Sequence, residues 1–313
     1  MNTTRPVLPW RLGVSASGED VVLDLADSVS YLVQGSTRSG KSVSVYGLLQ
    51  SLAADPRVII SGIDPSGILL NPWANHPRPD WRHSFAQDFT AAADTLERIV
   101  GEMDRRIHWL VDHDLEKLAY PTVELPFVWV VLEEYPGTLD ATADEDAASG
   151  RKGADQQQPR IKRYTSRLIR EGQKAGCRVL IIAQRAEANI VSGDNRSNVG
   201  GRLTHRVDNA DSVKMLHPRV TPDLVDWVTG YSSPLIRPGL GLLQVPGYEG
   251  IRQVRVDFTT YEHYLATVRA GSLAQQQFAA ERGLDWEKMG HPDLFGPVNQ
   301  YEEDWTDDHA AAS

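Results

Sequence analysis

Eight residues near the start leave this chain few architectures: Gly35-Ser36-Thr37-Arg38-Ser39-Gly40-Lys41-Ser42. They stand between a short apolar run, Tyr31-Leu32-Val33, and a stretch of helical character, Val43–Leu52. Glycines at positions one and six, closed by Lys-Ser, match the phosphate-binding Walker A pattern at every defined position. Glycine lets consecutive backbone N–H groups curl around phosphate oxygens, and the N-terminus of the following helix favours their negative charge. The loop therefore needs a buried strand leading in and a helix leading out, which commits the chain to an α/β fold. Gly35, Ser36, Thr37, Arg38, Ser39, Gly40, Lys41, Ser42 and Val43 are the candidate nucleotide-binding residues. Lys41 is placed to reach the β- and γ-phosphates, and Ser42 to offer a hydroxyl to Mg2+.

The rest of the chain supplies the matching frame. Val58–Ile63 is a β-branched run stopped by Asp64-Pro65-Ser66-Gly67, a turn signal. Residues 91–117 predict a long helix, with Leu96, Ile99, Val100, Met103, Ile107, Leu110 and Val111 on one apolar stripe. Phe127–Leu132 is apolar on both faces, as a buried parallel strand requires. From 138 to 160 the composition turns to Ala, Asp, Gly and Gln, the pattern of a mobile loop. A basic helix over about 160–175 follows, then strands at Val179–Ala183 and Leu203–Val207. Gly241–Val245 and Val254–Phe258 fit a hairpin, and Tyr261–Arg282 fits a last helix. Strands alternating with helices predict a mostly parallel sheet covered on both faces.

Phe127–Leu132 ends in Glu133-Glu134. Adjacent carboxylates behind an apolar strand are costly unless a cation compensates them. In a phosphate-loop site the first, Glu133, holds Mg2+ through water, and the second, Glu134, activates the attacking water as general base. A base of this kind points to hydrolysis of ATP rather than phosphoryl transfer to a small molecule. Gln184, at the end of the next strand, is placed to sense the γ-phosphate or position water. A full strand and the long helix separate the two motifs, which predicts the additional-strand class, where the motif strands are not neighbours.

Charge is segregated. The net charge is −10, yet Arg160, Lys162, Arg163, Arg167, Arg170, Lys174, Arg178 and Arg185 are opposed along that stretch only by Glu171. Such a face can bind DNA phosphates on an acidic protein, or it can be a solvated helix face. The single cysteine, Cys177, excludes an internal disulfide, and the nine histidines do not fall at metal-ligand spacing. With no signal peptide and no long apolar run, the chain reads as cytoplasmic, without a transmembrane segment of its own.

Taken in order, these motifs resemble the FtsK/SpoIIIE-type DNA translocases of the HerA–FtsK group. The likeness runs from about Leu12 to Val256. It includes Leu12-Gly13, Gly18, Val21–Leu25, the phosphate loop, Ile63-Asp64-Pro65, and Glu102-Met103-Asp104-Arg105-Arg106. It continues through Glu133-Glu134-Tyr135, Gln173-Lys174-Ala175-Gly176, Ile182-Ala183-Gln184-Arg185, Asn198 to Arg202, and Gly239-Leu240-Gly241 to Pro246-Gly247. The short form is similar to TraB/TraSA-like plasmid-transfer proteins. The resemblance implies a RecA-like motor over 11–258, between an N-terminal tail (1–10) and a C-terminal helix with an acidic tail (259–313). It further implies ATP and Mg2+ as cofactors, a homo-oligomeric hexameric ring, and double-stranded DNA as partner, with recruitment to a membrane through another protein. For contact with the neighbouring subunit's nucleotide the candidates are Arg170, Lys174 and Arg202. For DNA they are Arg196 and Asn195, in the loop Ala188–Val199, and Arg160. Three departures stand out: Glu133 where the family has Asp, Ser66 where a Lys is common, and a displaced arginine near Gln173. A ring ATPase energising protein secretion and a nucleotide-dependent scaffold with little turnover are the alternatives.

Overall fold

The computed structural model describes residues 7–27, 29–74, 84–85, 88–185, 197–230 and 238–285. The strands are β1 (Pro9–Ser15), β2 (Asp20–Asp24), β3 (Tyr31–Gln34), β4 (Val58–Asp64), β5 (Ser84–Phe85), β6 (Phe127–Leu132), β7 (Cys177–Ala183), β8 (Gly201–His205), β9 (Leu240–Gln244) and β10 (Arg252–Val256). The helices are α1 (Lys41–Ser51), α2 (Phe89–Asp112), α3 (Tyr135–Ala148), α4 (Gln157–Glu171), α5 (Ala210–Leu216), α6 (Pro222–Thr229) and α7 (Tyr261–Arg282).

All ten strands join one sheet in the order β2-β1-β10-β9-β8-β3-β7-β6-β4-β5. From β8 to β5 every pairing is parallel. From β2 to β8 every pairing is antiparallel, including the expected β9–β10 hairpin. The parallel half is buried on both faces: every residue of β3, β4, β6 and β7 is buried. Alternation along β6 divides the core. Phe127, Trp129 and Val131 pack with Trp10, Leu48 and Tyr264 under α1 and α7. Val128, Val130 and Leu132 pack with Leu96, Met103 and Leu168 under α2 and α4.

β7 stands between β3 and β6, the order expected of the additional-strand class. Its register carries Ala183 to Gln34 on one side and Ile181 to Leu132 on the other.

Several expectations need correction. The stretch 138–160 is not a mobile loop: α3 runs through Ala148, and Gln157 already opens α4. The buried Asp146 carboxylate accepts the backbone N–H groups of Gln157 and Gln158, both at 3.0 Å, and so caps α4 from α3. α2 spans Phe89–Asp112, opened by the Asp88 side chain accepting from Ala91 N at 2.9 Å, and Val111 on its expected stripe is 69% exposed. The tail boundary at residue 10 falls inside β1, where Trp10 is buried, as is Leu8 just before the strand. The helix set off in 259–313 belongs to the core. In α7, Tyr264 and Val268 are fully buried, and Gln275 donates to the carbonyls of Ala53 and Asp55 at 3.0 Å. The acidic residues 302–308 lie outside the described residues. Among the described residues, no helix is long and apolar enough to cross a membrane.

Candidate nucleotide site

β3 delivers the phosphate loop to the carboxyl edge of the parallel half, and neighbouring strands hold it. Gly35 N donates to Ala183 O at 3.2 Å, and Ser36 gives both its N–H and its hydroxyl to Arg206 O at 2.8 and 2.9 Å. Ser39 N closes back on Ser36 O at 3.1 Å. Gly40 takes a left-handed φ of 108°, and a Cβ there would sit 2.4 Å from Gly239 N. Only glycine fits, since both the backbone angle and the space exclude a side chain. Gly40 also has no side chain with which to cap α1, and the first turn carries no acid. The positive end of the helix therefore faces outward, ready for an anion.

Opposite the loop stands an acidic wall. Glu134 adopts a left-handed backbone (φ 40°, ψ 50°) at the start of α3, a strained conformation for a non-glycine residue. Its carboxylate reaches Lys41 Nζ at 3.1 Å through Oε2 and accepts Gln184 N at 3.3 Å through Oε1. This one side chain brings together the phosphate loop, the acidic strand end and the residue expected on the next strand.

Glu133 N is fixed to Ile63 O at 2.9 Å, beside the buried Asp64. Burial pushes the Glu133 carboxyl up to about 7, and the charges of Asp64 and Glu134 push the same way, against the pull of Lys41. Asp64 is committed to its turn. Oδ1 accepts Ser66 N at 3.0 Å and its hydroxyl at 2.9 Å, and Oδ2 accepts Leu69 N and Leu70 N at 2.8 and 2.9 Å. Ser66, in the position where a lysine was expected, thus caps Asp64. Among the described residues, Glu133 is the carboxylate left beside the loop without a cation of its own, and its oxygens suit a hard divalent cation. Ser42, exposed at the head of α1, and Glu133 are the residues that fit Mg2+.

Sequence reasoning passed over His205. It is fully buried behind the loop, with Nε2 2.9 Å from the Ser44 hydroxyl and Nδ1 3.1 Å from Leu240 O. Burial pushes the imidazole down to about 4, Leu240 O opposes this, and Lys41 adds to it. A neutral ring therefore donates from Nδ1 to Leu240 and accepts at Nε2. A Cβ at Gly35 would come within 2.8 Å of His205 Cβ, so His205 backs directly on the loop. Its sequence signal was weak: a lone histidine at a strand end.

The remaining candidates separate. Arg170 and Lys174 are exposed near the amino end of β7, at the opposite edge of the sheet from the phosphate loop. Arg202 is half-buried, and its guanidinium donates to Val199 O and Leu216 O, both at 3.0 Å. Arg160 is not a free DNA-facing cation. It bridges Asp94 at 2.8 Å and Glu97 at 2.7 Å on α2, and reaches Gln157 at 2.7 Å. Arg167 likewise binds Asp104 and Glu171, at 2.7 and 2.6 Å. Within the basic stretch, Arg160 and Arg167 are matched by carboxylates of α2, which the linear sequence does not place beside them. Asn195 and Arg196, with most of the loop Ala188–Val199, lie outside the described residues.

The FtsK/SpoIIIE family model matches residues 1–131, which include the phosphate loop and stop short of Glu133. The chain is 26% identical over 219 residues to DNA translocase SftA of Bacillus subtilis, covering 66% of this chain and 21% of that protein. It is 25% identical over 218 residues to DNA translocase FtsK of Staphylococcus aureus, covering 63% and 25%. It thus spans about a quarter or less of the length of these relatives. Among solved structures, the pCW3 conjugation coupling protein TcpA with ATPγS superposes with a TM-score of 0.65 at 18% identity, covering 87% of this chain and 72% of that one. The cytoplasmic domain of the Thermomonospora curvata type VII secretion ATPase EccC gives 0.63 at 19% identity, covering 85% and 32%. These likenesses establish a shared fold.

Proposed function

We propose, for a chain of FtsK/SpoIIIE type over its matched residues 1–131, that it hydrolyses ATP and uses the energy to move double-stranded DNA. The observation that carries this reading is the Lys41–Glu134 contact at 3.1 Å across the mouth of the phosphate loop. Lys41 passes from Glu134 to the β- and γ-phosphate oxygens when nucleotide binds. Glu134, released from the ammonium and still oriented by Gln184 N, accepts the proton of the attacking water. Gln184 positions that water. Ser42 and Glu133 would hold Mg2+, which would supply charge neutralisation at the phosphates.

The coupling half of the proposal rests on assembly. Arg170 and Lys174, at the sheet edge away from their own loop, reach the nucleotide of a neighbouring copy in a homo-oligomeric, hexameric ring. Arg202, already held by two carbonyls, ranks behind them. Asn195 and Arg196 are the residues proposed to touch the duplex backbone. Plasmid or mobile-element transfer is the proposed setting, in the cytoplasm with recruitment to a membrane by a partner. A conjugation coupling protein with the same fold supports it.

The test is ATP hydrolysis with and without linear duplex DNA. The proposal expects basal turnover that rises severalfold with DNA. Turnover indifferent to DNA favours a ring ATPase of protein secretion, a function carried by another protein of this fold. Binding without turnover leaves a nucleotide-dependent scaffold.

A further inference from the structure

The nucleotide-site reading fixes which way the ligand runs across α1. Glu134 and Gln184, at the ends of β6 and β7, mark the flank where the γ-phosphate sits. A triphosphate laid over the helix N-terminus then carries its nucleoside to the opposite flank, towards β8, β9 and β10. On that flank the backbone is tightly fixed. Gly239 N donates to Ser39 O at 2.9 Å, Val256 N to Gly239 O at 2.8 Å, and Asp257 N to Leu12 O at 2.8 Å.

Residues 256–259 run from the phosphate loop along one face of α1. At the loop end, Gly40 touches Gly239. Two turns on, a Cβ at Gly47 would lie 3.8 Å from Thr259 Oγ1. Val43, between Gly40 and Gly47 on that same helical face, is half-buried. Thr259 is buried, with Gln50 Nε2 at 3.4 Å from its hydroxyl. Its neighbour Phe258 is 81% exposed, a large apolar ring in solvent next to the hydrogen-bonded Asp257.

We propose that Phe258 is the platform on which the base of the bound nucleotide stacks, with Val43 as the apolar contact beside it. This rests on the reading of Gly35–Ser42 as an ATP site and adds to it the recognition of the base. A phenyl face reads the π-surface of a base rather than its hydrogen-bonding edge, so the site favours purines over pyrimidines by stacking area. The Tyr46–Tyr261 pair, with ring centroids 5.7 Å apart, does not take this role. Tyr261 donates its hydroxyl to Ile68 O at 3.2 Å, in the turn that follows Asp64, which places the pair on the β4 flank.

The test compares wild type, Phe258→Ala and Phe258→Tyr by calorimetric titration with ATPγS and with inorganic tripolyphosphate, each with Mg2+. Phe258→Ala should weaken ATPγS about tenfold, leave tripolyphosphate unchanged, and be rescued by Phe258→Tyr. Unchanged ATPγS affinity in Phe258→Ala, or an equal loss for both ligands, overturns the platform while the phosphate site stands. A wild-type protein that binds neither ligand overturns the ATP-site reading and this one with it.

Discussion

Two clusters of opposite charge lie on this molecule, and they differ in balance rather than in kind. On the outer surface, Arg160 and Arg167 of α4 meet Asp94, Glu97, Asp104 and Glu171. At the phosphate loop, Lys41 pairs with Glu134, while Glu133 stands beside the charges of Glu134 and the buried Asp64. The surface cluster completes its own ion pairs in solvent, where such pairs contribute little. The loop cluster is left with surplus negative charge in a partly buried setting, beside an uncapped helix start. A site is recognised by what its charges leave unmatched. The density of basic residues along a sequence pointed instead to α4.

The largest effects expected from this contrast come from the Lys41–Glu134 pair. Lys41→Ala should lower nucleotide affinity and turnover by about two orders of magnitude or more, since it removes the side-chain charge on the β/γ-phosphates. Glu134→Gln should retain nucleotide binding and slow hydrolysis about a hundredfold or more. Single-turnover kinetics separates the two, and wild-type turnover in Glu134→Gln would remove the general base from this residue.

Glu133 sharpens the contrast through pH. Its folded carboxyl is raised from the ordinary 4.5 to about 7, so the folded chain keeps a proton that the unfolded chain has released. That contribution to stability is fully present below about pH 4.5 and is lost as pH climbs through about 7. Without nucleotide or Mg2+, wild type should lose up to about 3 kcal/mol relative to Glu133→Gln across this window. Affinity for Mg·ATP should rise over the same range, because Mg2+ needs the ionised carboxylate. Denaturant unfolding at pH 5, 6, 7 and 8 checks the first point. Parallel curves for the two proteins would show that the carboxylates are already balanced.

The smallest effects belong to the surface cluster. Arg160→Ala and Arg167→Ala should each change stability by less than about 1 kcal/mol and leave duplex DNA affinity unaltered. A fall in affinity, with a shallower salt dependence in fluorescence anisotropy, would restore α4 as a DNA-facing element.

The sequence made the parallel half legible because continuous apolar runs such as Phe127–Leu132 have one stable home, a strand buried on both faces. The phosphate loop, the acidic pair and the separation of their strands followed from motif order. Other features depend on partners distant in sequence. Ala and Asp in 138–160 read as loop because the capping of α4 by Asp146 joins two elements. Arg160 read as free because Asp94 and Glu97 meet it only when α2 packs on α4. His205 was invisible for the same reason: its place under Gly35 is a product of the β3–β8 pairing.

The phosphate loop is closed by residues that lie far downstream: Ala183, Arg206 and finally Gly239. Synthesis on the ribosome runs from the N-terminus, so Gly35–Ser42 emerges long before any of them. Until β7 slots between β3 and β6, Lys41 and Glu134 stand behind strands that are not yet joined. Until Gly239 emerges, Gly40 has nothing to rest against. A growing chain therefore carries the loop as an open sequence through most of its translation, and becomes competent for nucleotide only once β9 begins to dock.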